Sequence, residues 1–201
     1  MRCRRRLRGF LLLVLFLGIL CTETATAWNE RGSVSAEISA DLPYGSDYCE
    51  PDYVVELFDA NLAEYYPTAS IDFSYGDRLG FCGQGITVGV IDSGAYSHSE
   101  LSGNLLQGHN YIDDTEDTTD FLGHGTFVSG LIAAQKNNVG IIGTAYRASV
   151  VPLKCFDTGV TTHVSMVCAA IYAAVDVYHC QIINMSFGLK EYSNKLKAAI
   201  D

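Results

Sequence analysis

Three runs of this chain are apolar at nearly every position: Ile86-Thr87-Val88-Gly89-Val90-Ile91, Ser149-Val150-Val151-Pro152-Leu153-Lys154 and Gln181-Ile182-Ile183-Asn184-Met185. Short unbroken apolarity, rather than strict alternation, predicts strands buried on both faces, as in a parallel sheet covered by helices. Between these runs the spacing turns helical. Residues 126–134 gather Phe127, Val128, Leu131 and Ile132 on one face, residues 164–177 are rich in alanine, and a third amphipathic helix begins at Asn194. Alternating strands and helices predict an α/β fold: a doubly wound, mostly parallel sheet with helices on both faces and right-handed crossovers. Pro152 opposes the second strand, because it removes a ladder donor.

Upstream of about Asp77 the pattern is weaker. The segment is acidic and tyrosine-rich, broken by Pro43, Pro51 and Pro67, with one strand-like run at Tyr53-Val54-Val55-Glu56-Leu57-Phe58. Three regions are therefore expected: 1–27, 28–77 as a propeptide-like or linking segment, and a domain over 78–201.

The first region reads as an export address. Arg2, Arg4, Arg5, Arg6 and Arg8 precede an apolar stretch from Phe10 to Leu20 and a small-residue site at Ala25-Thr26-Ala27, the order of a secretory signal peptide. The apolar stretch falls short of the roughly twenty residues that span a bilayer, so no stable membrane anchor is expected after cleavage. Removing 1–27 takes five of the 13 Lys+Arg and one of the 23 Asp+Glu, leaving a formal charge near −14. That balance excludes nucleic acid as a natural partner and suits a secreted, soluble monomer or a cation binder. Five of the seven cysteines lie beyond residue 27; an odd number cannot all pair within one chain, and no pairing is assigned. Neither C-x-x-C nor H-E-x-x-H spacing occurs beyond residue 27, leaving a zinc site without support.

The candidate chemistry sits at the ends of elements. Asp92 closes the first strand, followed by Ser93-Gly94, and side chains at the carboxyl ends of parallel strands line the functional crevice. His124 stands between Gly123 and Gly125 at the start of a helix, where side-chain-free neighbours leave a substrate room to approach. Taken alone, Asp92 reads more readily as a turn cap, and His124 is an even choice between a helix-opening residue and a base. A dinucleotide site would need its glycines after the strand; Gly83 and Gly85 precede it.

The conjunction decides. Val90-Ile91-Asp92-Ser93-Gly94, then Gly123-His124-Gly125-Thr126-Phe127-Val128-Ser129-Gly130, then Ile183-Asn184-Met185-Ser186-Phe187-Gly188 resemble, in order and separation, the motifs of the subtilisin-like serine peptidase family. The resemblance covers about Gly80 to Asp201. It implies peptide-bond hydrolysis, with Asp92 holding the tautomer of His124 and His124 as general base. It also implies that Ser186, Phe187 and Gly188 present backbone to an extended polypeptide substrate, added as a strand.

Further segments match the same family. His98-Ser99-Glu100-Leu101 resembles its His-Pro-Asp-Leu segment, and Gln135 to Ile141 resembles a loop that wraps a structural calcium. The ligands this implies are the Glu100 carboxylate, the Asn137 side chain and the carbonyls of Gln135, Val139 and Ile141, all oxygen donors suited to calcium. Glutamate replaces the family's aspartate. Asp113, Asp114, Glu116, Asp117 and Asp120 form an acidic loop, read as solvated surface with a second cation site as the minor alternative. Cys49-Glu50-Pro51-Asp52-Tyr53-Val54 resembles the tail of an inhibitory propeptide.

Two family elements do not occur in the 201 residues: an Ala-Gly-Asn turn for the oxyanion and a Gly-Thr-Ser turn for the nucleophile. The expectation is a secreted serine endopeptidase represented by its N-terminal part and inactive by itself. The alternatives are a non-catalytic, calcium-dependent peptide-binding or inhibitory module of the same fold, and an unrelated α/β cation binder.

Overall fold

The computed structural model describes residues 54–57, 78–138 and 140–201. The signal-peptide expectation, most of 28–77 and Val139 lie outside the described residues. The elements given whole by the described residues are the strands β1 (Val54–Leu57), β2 (Thr87–Asp92), β3 (His109–Asn110), β4 (Ser149–Lys154), β5 (Thr161–His163), β6 (Ile182–Met185) and β7 (Phe187–Gly188). They are accompanied by the helices α1 (His124–Ala133), α2 (Val164–Asp176) and α3 (Asn194–Ile200) and by a 3₁₀ turn at Ser99–Leu101.

Strands β3-β4-β2-β6 form the parallel sheet, in that order. The three expected strands are present to within one residue at each end, and the helices begin or stop within two residues of the expected bounds.

The two faces of the sheet carry separate cores. Val88, Val90 and Val150 pack with Val128, Ile132 and Ala133 of α1, whereas Ile91, Val151, Leu153 and Ile183 pack with Val167, Ala170 and Ala174 of α2. Alternate residues of β2 thus face opposite helices, which is why the strand is apolar throughout. Gly89 marks the closest approach, since a Cβ there would sit 3.2 Å from Cys180 Sγ and 3.4 Å from Ala174 Cβ.

This arrangement corrects the expected handedness. The step from β3 through α1 to β4 and the step from β4 through α2 to β6 run the same way across the sheet, yet their helices lie on opposite faces. Two crossovers of the same hand would put both helices on one face. One of the pair is therefore left-handed, an exception to a strong rule.

Pro152 does belong to the strand, and its missing donor is accommodated. Val150 donates to Asn104 O and Lys154 O accepts from Tyr111 N, so this parity of β4 faces β3. There the neighbouring chain crosses at Gly108, where a Cβ would lie 1.8 Å from Pro152 O, and regular pairing resumes at His109–Leu153. The proline sits at a gap in the ladder.

A second, smaller sheet has the order β5-β1-β7, with β1 antiparallel to both neighbours. Val55 is fully buried and joins the α2-side core beside Phe156, Val164 and Phe187. Cys82, Cys155, Cys168 and Cys180 are buried; burial pushes the Cys180 thiol up from 9.0 to about 11 and the Cys155 thiol higher still, which keeps both unreactive at neutral pH. No helix among the described residues is long and apolar enough to cross a membrane.

Candidate active site

Asp92 ends β2 fully buried, and the register Ile91↔Met185 and Asp92↔Lys154 brings it out at the same sheet edge as Ser186 and Lys154. His124 opens α1 and is 4% exposed. Its Nδ1 lies 2.6 Å from Asp92 Oδ1, thirty-two residues away in sequence. At this distance the proton resides on Nδ1 and is donated to the carboxylate, which fixes the tautomer whose Nε2 accepts. The two residues singled out by sequence therefore form a hydrogen-bonded acid–base couple.

The neighbouring residue completes the carboxylate's environment. Ser93 N donates to Asp92 Oδ1 at 2.7 Å and Ser93 Oγ donates to the same oxygen at 3.2 Å. The same hydroxyl accepts from Gly125 N at 2.9 Å, tying the strand end to the first turn of α1. Asp92 Oδ2 is buried with no hydrogen-bond partner among the described residues. Gly125 stands against the opposite segment, where a Cβ would meet Gly94 O at 2.1 Å and Asp92 Oδ1 at 3.1 Å. Gly94, at φ 105°, has Thr118 O 2.2 Å from its own virtual Cβ. The motif glycines here are contact residues.

The start of α1 is capped from outside the usual position. Gly123 adopts φ 89° and offers no side chain. Asp120 supplies the missing acceptors: Oδ1 accepts from Leu122 N and Gly123 N at 3.0 and 2.8 Å, and Oδ2 accepts from Thr126 N and Thr126 Oγ1 at 2.8 and 2.6 Å. This residue is 8% exposed, so it leaves the solvated acidic loop in which it was grouped; Asp113, Asp114, Glu116 and Asp117 remain exposed. An aspartate four residues before a helix-opening histidine was the available sign. Asp120→Ala is expected to lower stability by about 1–2 kcal/mol, read as a drop in urea midpoint with faster exchange of the Thr126 amide. An unchanged midpoint would mean that the cap is dispensable.

Ser186 bridges the two sheets and accepts from Asn184 Nδ2 at 2.9 Å. Phe187 and Gly188 pair with Leu57 and Glu56 of β1, while the Phe187 ring turns inward against Phe156, with centroids 5.5 Å apart. This segment offers its backbone to a neighbouring strand, and that strand is part of the chain itself.

The expected cation ligands are only partly assembled. Glu100 is 9% exposed; its Oε1 accepts from Asn137 Nδ2 at 3.3 Å and its Oε2 is buried without a hydrogen-bond partner among the described residues. Gly140 packs on that oxygen, with a virtual Cβ 2.9 Å away. Gln135 N donates to Glu100 O at 2.8 Å, joining the loop to the 3₁₀ turn, and its side-chain amide reaches Ser102 O. Ile141 is half-buried in the same loop. A buried carboxylate oxygen with no hydrogen-bond partner among the described residues is an acceptor of the kind a hard cation takes. Among the described residues no three His, Cys, Asp or Glu side chains cluster as a metal site, so such a cation would rely on carbonyl oxygens.

Comparison with known proteins agrees with this geometry. The model of the Subtilase family matches residues 83–201. A thermophilic serine proteinase of Bacillus sp. (strain AK1) is 29% identical over 164 residues, covering 77% of this chain and 40% of the relative. An extracellular serine protease of Serratia marcescens is 39% identical over 94 residues, covering 45% of this chain and 9% of the relative. The crystal structure of fervidolysin from Fervidobacterium pennivorans, a keratinolytic enzyme related to subtilisin, superposes with a TM-score of 0.59 at 26% identity, over 74% of this chain and 28% of that one. The chain thus spans less than half the length of these relatives. A family match over most of the described residues, on a fold that joins Asp92 to His124, means that this chain belongs to the subtilase family, the subtilisin-like serine peptidases.

Proposed function

We propose that this chain is the N-terminal part of a secreted serine endopeptidase, in which Asp92 orients His124 and His124 takes the proton of a serine supplied by sequence beyond these 201 residues. The 2.6 Å contact between Asp92 and His124 carries the reading, since a buried carboxylate on Nδ1 is what a general-base imidazole requires. Secretion is supported by the order of residues 1–27 and by the extracellular naming of the Serratia relative. By itself the chain is inactive in this reading, because loss of the nucleophile costs roughly a millionfold in turnover, a magnitude measured on subtilisin itself. The test is to sequence the transcript past codon 201. A Gly-Thr-Ser turn in frame, or in a shifted frame, is expected; its absence from all three frames would remove this account.

A second reading, a non-catalytic peptide-binding module, is favoured by one observation. An extended segment already lies as the middle strand between β5 and β7. In both readings β1, which belongs to the propeptide-like segment 28–77, stands in for an extended polypeptide between β5 and β7. Calcium, held by Glu100 with Gln135, Asn137, Val139 and Ile141, belongs to both readings, and the orphaned Glu100 Oε2 supports it.

A further inference from the structure

Opposite Asp92 in the parallel ladder stands Lys154, the last residue of β4. It is 3% exposed. A lysine is rarely buried to this extent, because removing an ammonium from water is costly unless its three N–H groups find acceptors. Here they do: Nζ donates to Thr119 O at 2.9 Å, to Ser93 O at 3.1 Å and to Asp157 Oδ1 at 3.4 Å. The first two acceptors are backbone carbonyls from separate segments, and both segments carry the couple.

Ser93 is the residue whose N–H and hydroxyl hold Asp92 Oδ1 and whose oxygen receives Gly125 N. Thr119 immediately precedes Asp120, the cap of the helix that His124 opens. Gly94 and Thr118 press these segments together, and the Lys154 Cδ atom lies 3.4 Å from a virtual Gly94 Cβ. The Phe121 ring covers the ammonium at 5.4 Å. The charges around it are carboxylates: Asp92 in register, Asp157 in contact, and Asp117, whose carboxyl is held below its usual value mainly by the Thr119 hydroxyl and amide and in part by Lys154.

We propose that Lys154 is a positioning residue that locks the acid–base couple by clamping the strand end of Asp92 to the loop that launches His124. Charge-assisted bonds to two carbonyls fix the separation of the segments more tightly than apolar packing could. An apolar replacement leaves two carbonyls without this donor and a group of carboxylates without their cation. The inference rests on the pairing of Asp92 with His124 and adds the means by which that pairing is held.

The test uses the full chain and two nuclear magnetic resonance signals. The first is the low-field proton of His124 Nδ1, assigned by its disappearance in His124→Ala. It is expected in the unaltered chain, to move upfield and broaden by solvent exchange in Lys154→Met, and to return in Lys154→Arg, whose guanidinium reaches the same carbonyls. The second is the Lys154 ammonium in the unaltered chain, expected to be visible at neutral pH, where exposed lysines exchange too fast to observe, with cross-relaxation to Ser93 and Thr119. An unchanged His124 proton in Lys154→Met overturns the clamp. If that variant fails to fold, the ammonium decides, and exchange as fast as that of a surface lysine overturns it equally. A protected ammonium without any low-field proton would instead overturn the acid–base pairing while leaving the clamp between the two segments in place.

Discussion

Gly125→Ala is expected to collapse the corner of the fold that holds Asp92 and His124, lowering stability by about 3–5 kcal/mol. Intrinsic helix propensity argues the other way, favouring alanine by about 1 kcal/mol. Space decides: the new methyl would lie 2.1 Å from Gly94 O and 3.1 Å from Asp92 Oδ1. The first obstacle is backbone, pinned because Gly94 itself abuts Thr118 O, so nothing can swing aside. Gly123→Ala provides the contrast. Its φ of 89° strains any side chain, yet nothing lies within 4 Å of its virtual Cβ, and a loss of about 1–2 kcal/mol is expected. Urea unfolding of both variants checks the order. A Gly125→Ala chain as stable as the unaltered protein would show that Gly94 and α1 are not in contact.

Val55→Asp should free the groove between β5 and β7. Val55 is fully buried in the core formed with Phe156, Val164 and Phe187. Burying an unpaired carboxylate there costs several kcal/mol, more than a four-residue strand recovers from its two ladders. The strand is expected to leave rather than the carboxylate to stay. A synthetic hexapeptide of the sequence Tyr53 to Phe58 then becomes a competent ligand. Removing about 3 kcal/mol of internal competition corresponds to a roughly hundredfold lower apparent Kd for the variant. Calorimetric titration measures it, and hydrogen exchange of the backbone amides that β5 and β7 turn toward β1 gives a second readout. Equal affinity and equal protection in both chains would mean that β1 does not compete for the groove.

How much of this was legible in the sequence depends on whether the responsible force is local. The buried strands were legible because Val88, Val90, Ile91, Val151 and Leu153 leave no polar face for solvent. Asp92 and His124 were legible only as a conjunction, since each is locally unremarkable. The handedness of the crossovers was not, because it depends on which face each helix takes, and both helices are apolar enough for either. Asp120 was grouped with its acidic neighbours because a cap is recognised only when the helix start is fixed to the residue. Lys154 closes an apolar run with no local sign of its burial, which follows from two loops closing over it, distant in sequence. Pro152 raised a legitimate objection that a gap opposite Gly108 answers.

One property of the smaller sheet bears on what can enter it. Strands β5 and β7 do not pair with each other; each reaches the sheet through β1. Successive strands lie about 4.8 Å apart, so the two walls stand roughly 10 Å from each other and one backbone fills the gap. A guest must therefore arrive with both of its edges unpaired. Strands inside folded proteins have given those edges to neighbours, and helices have turned them inward. On the reading that an extended polypeptide takes the place of β1, the groove would select by conformational availability before any side chain is read: loops, termini and unfolded stretches would fit, and a proline at the position of Val55 would leave one wall without its donor.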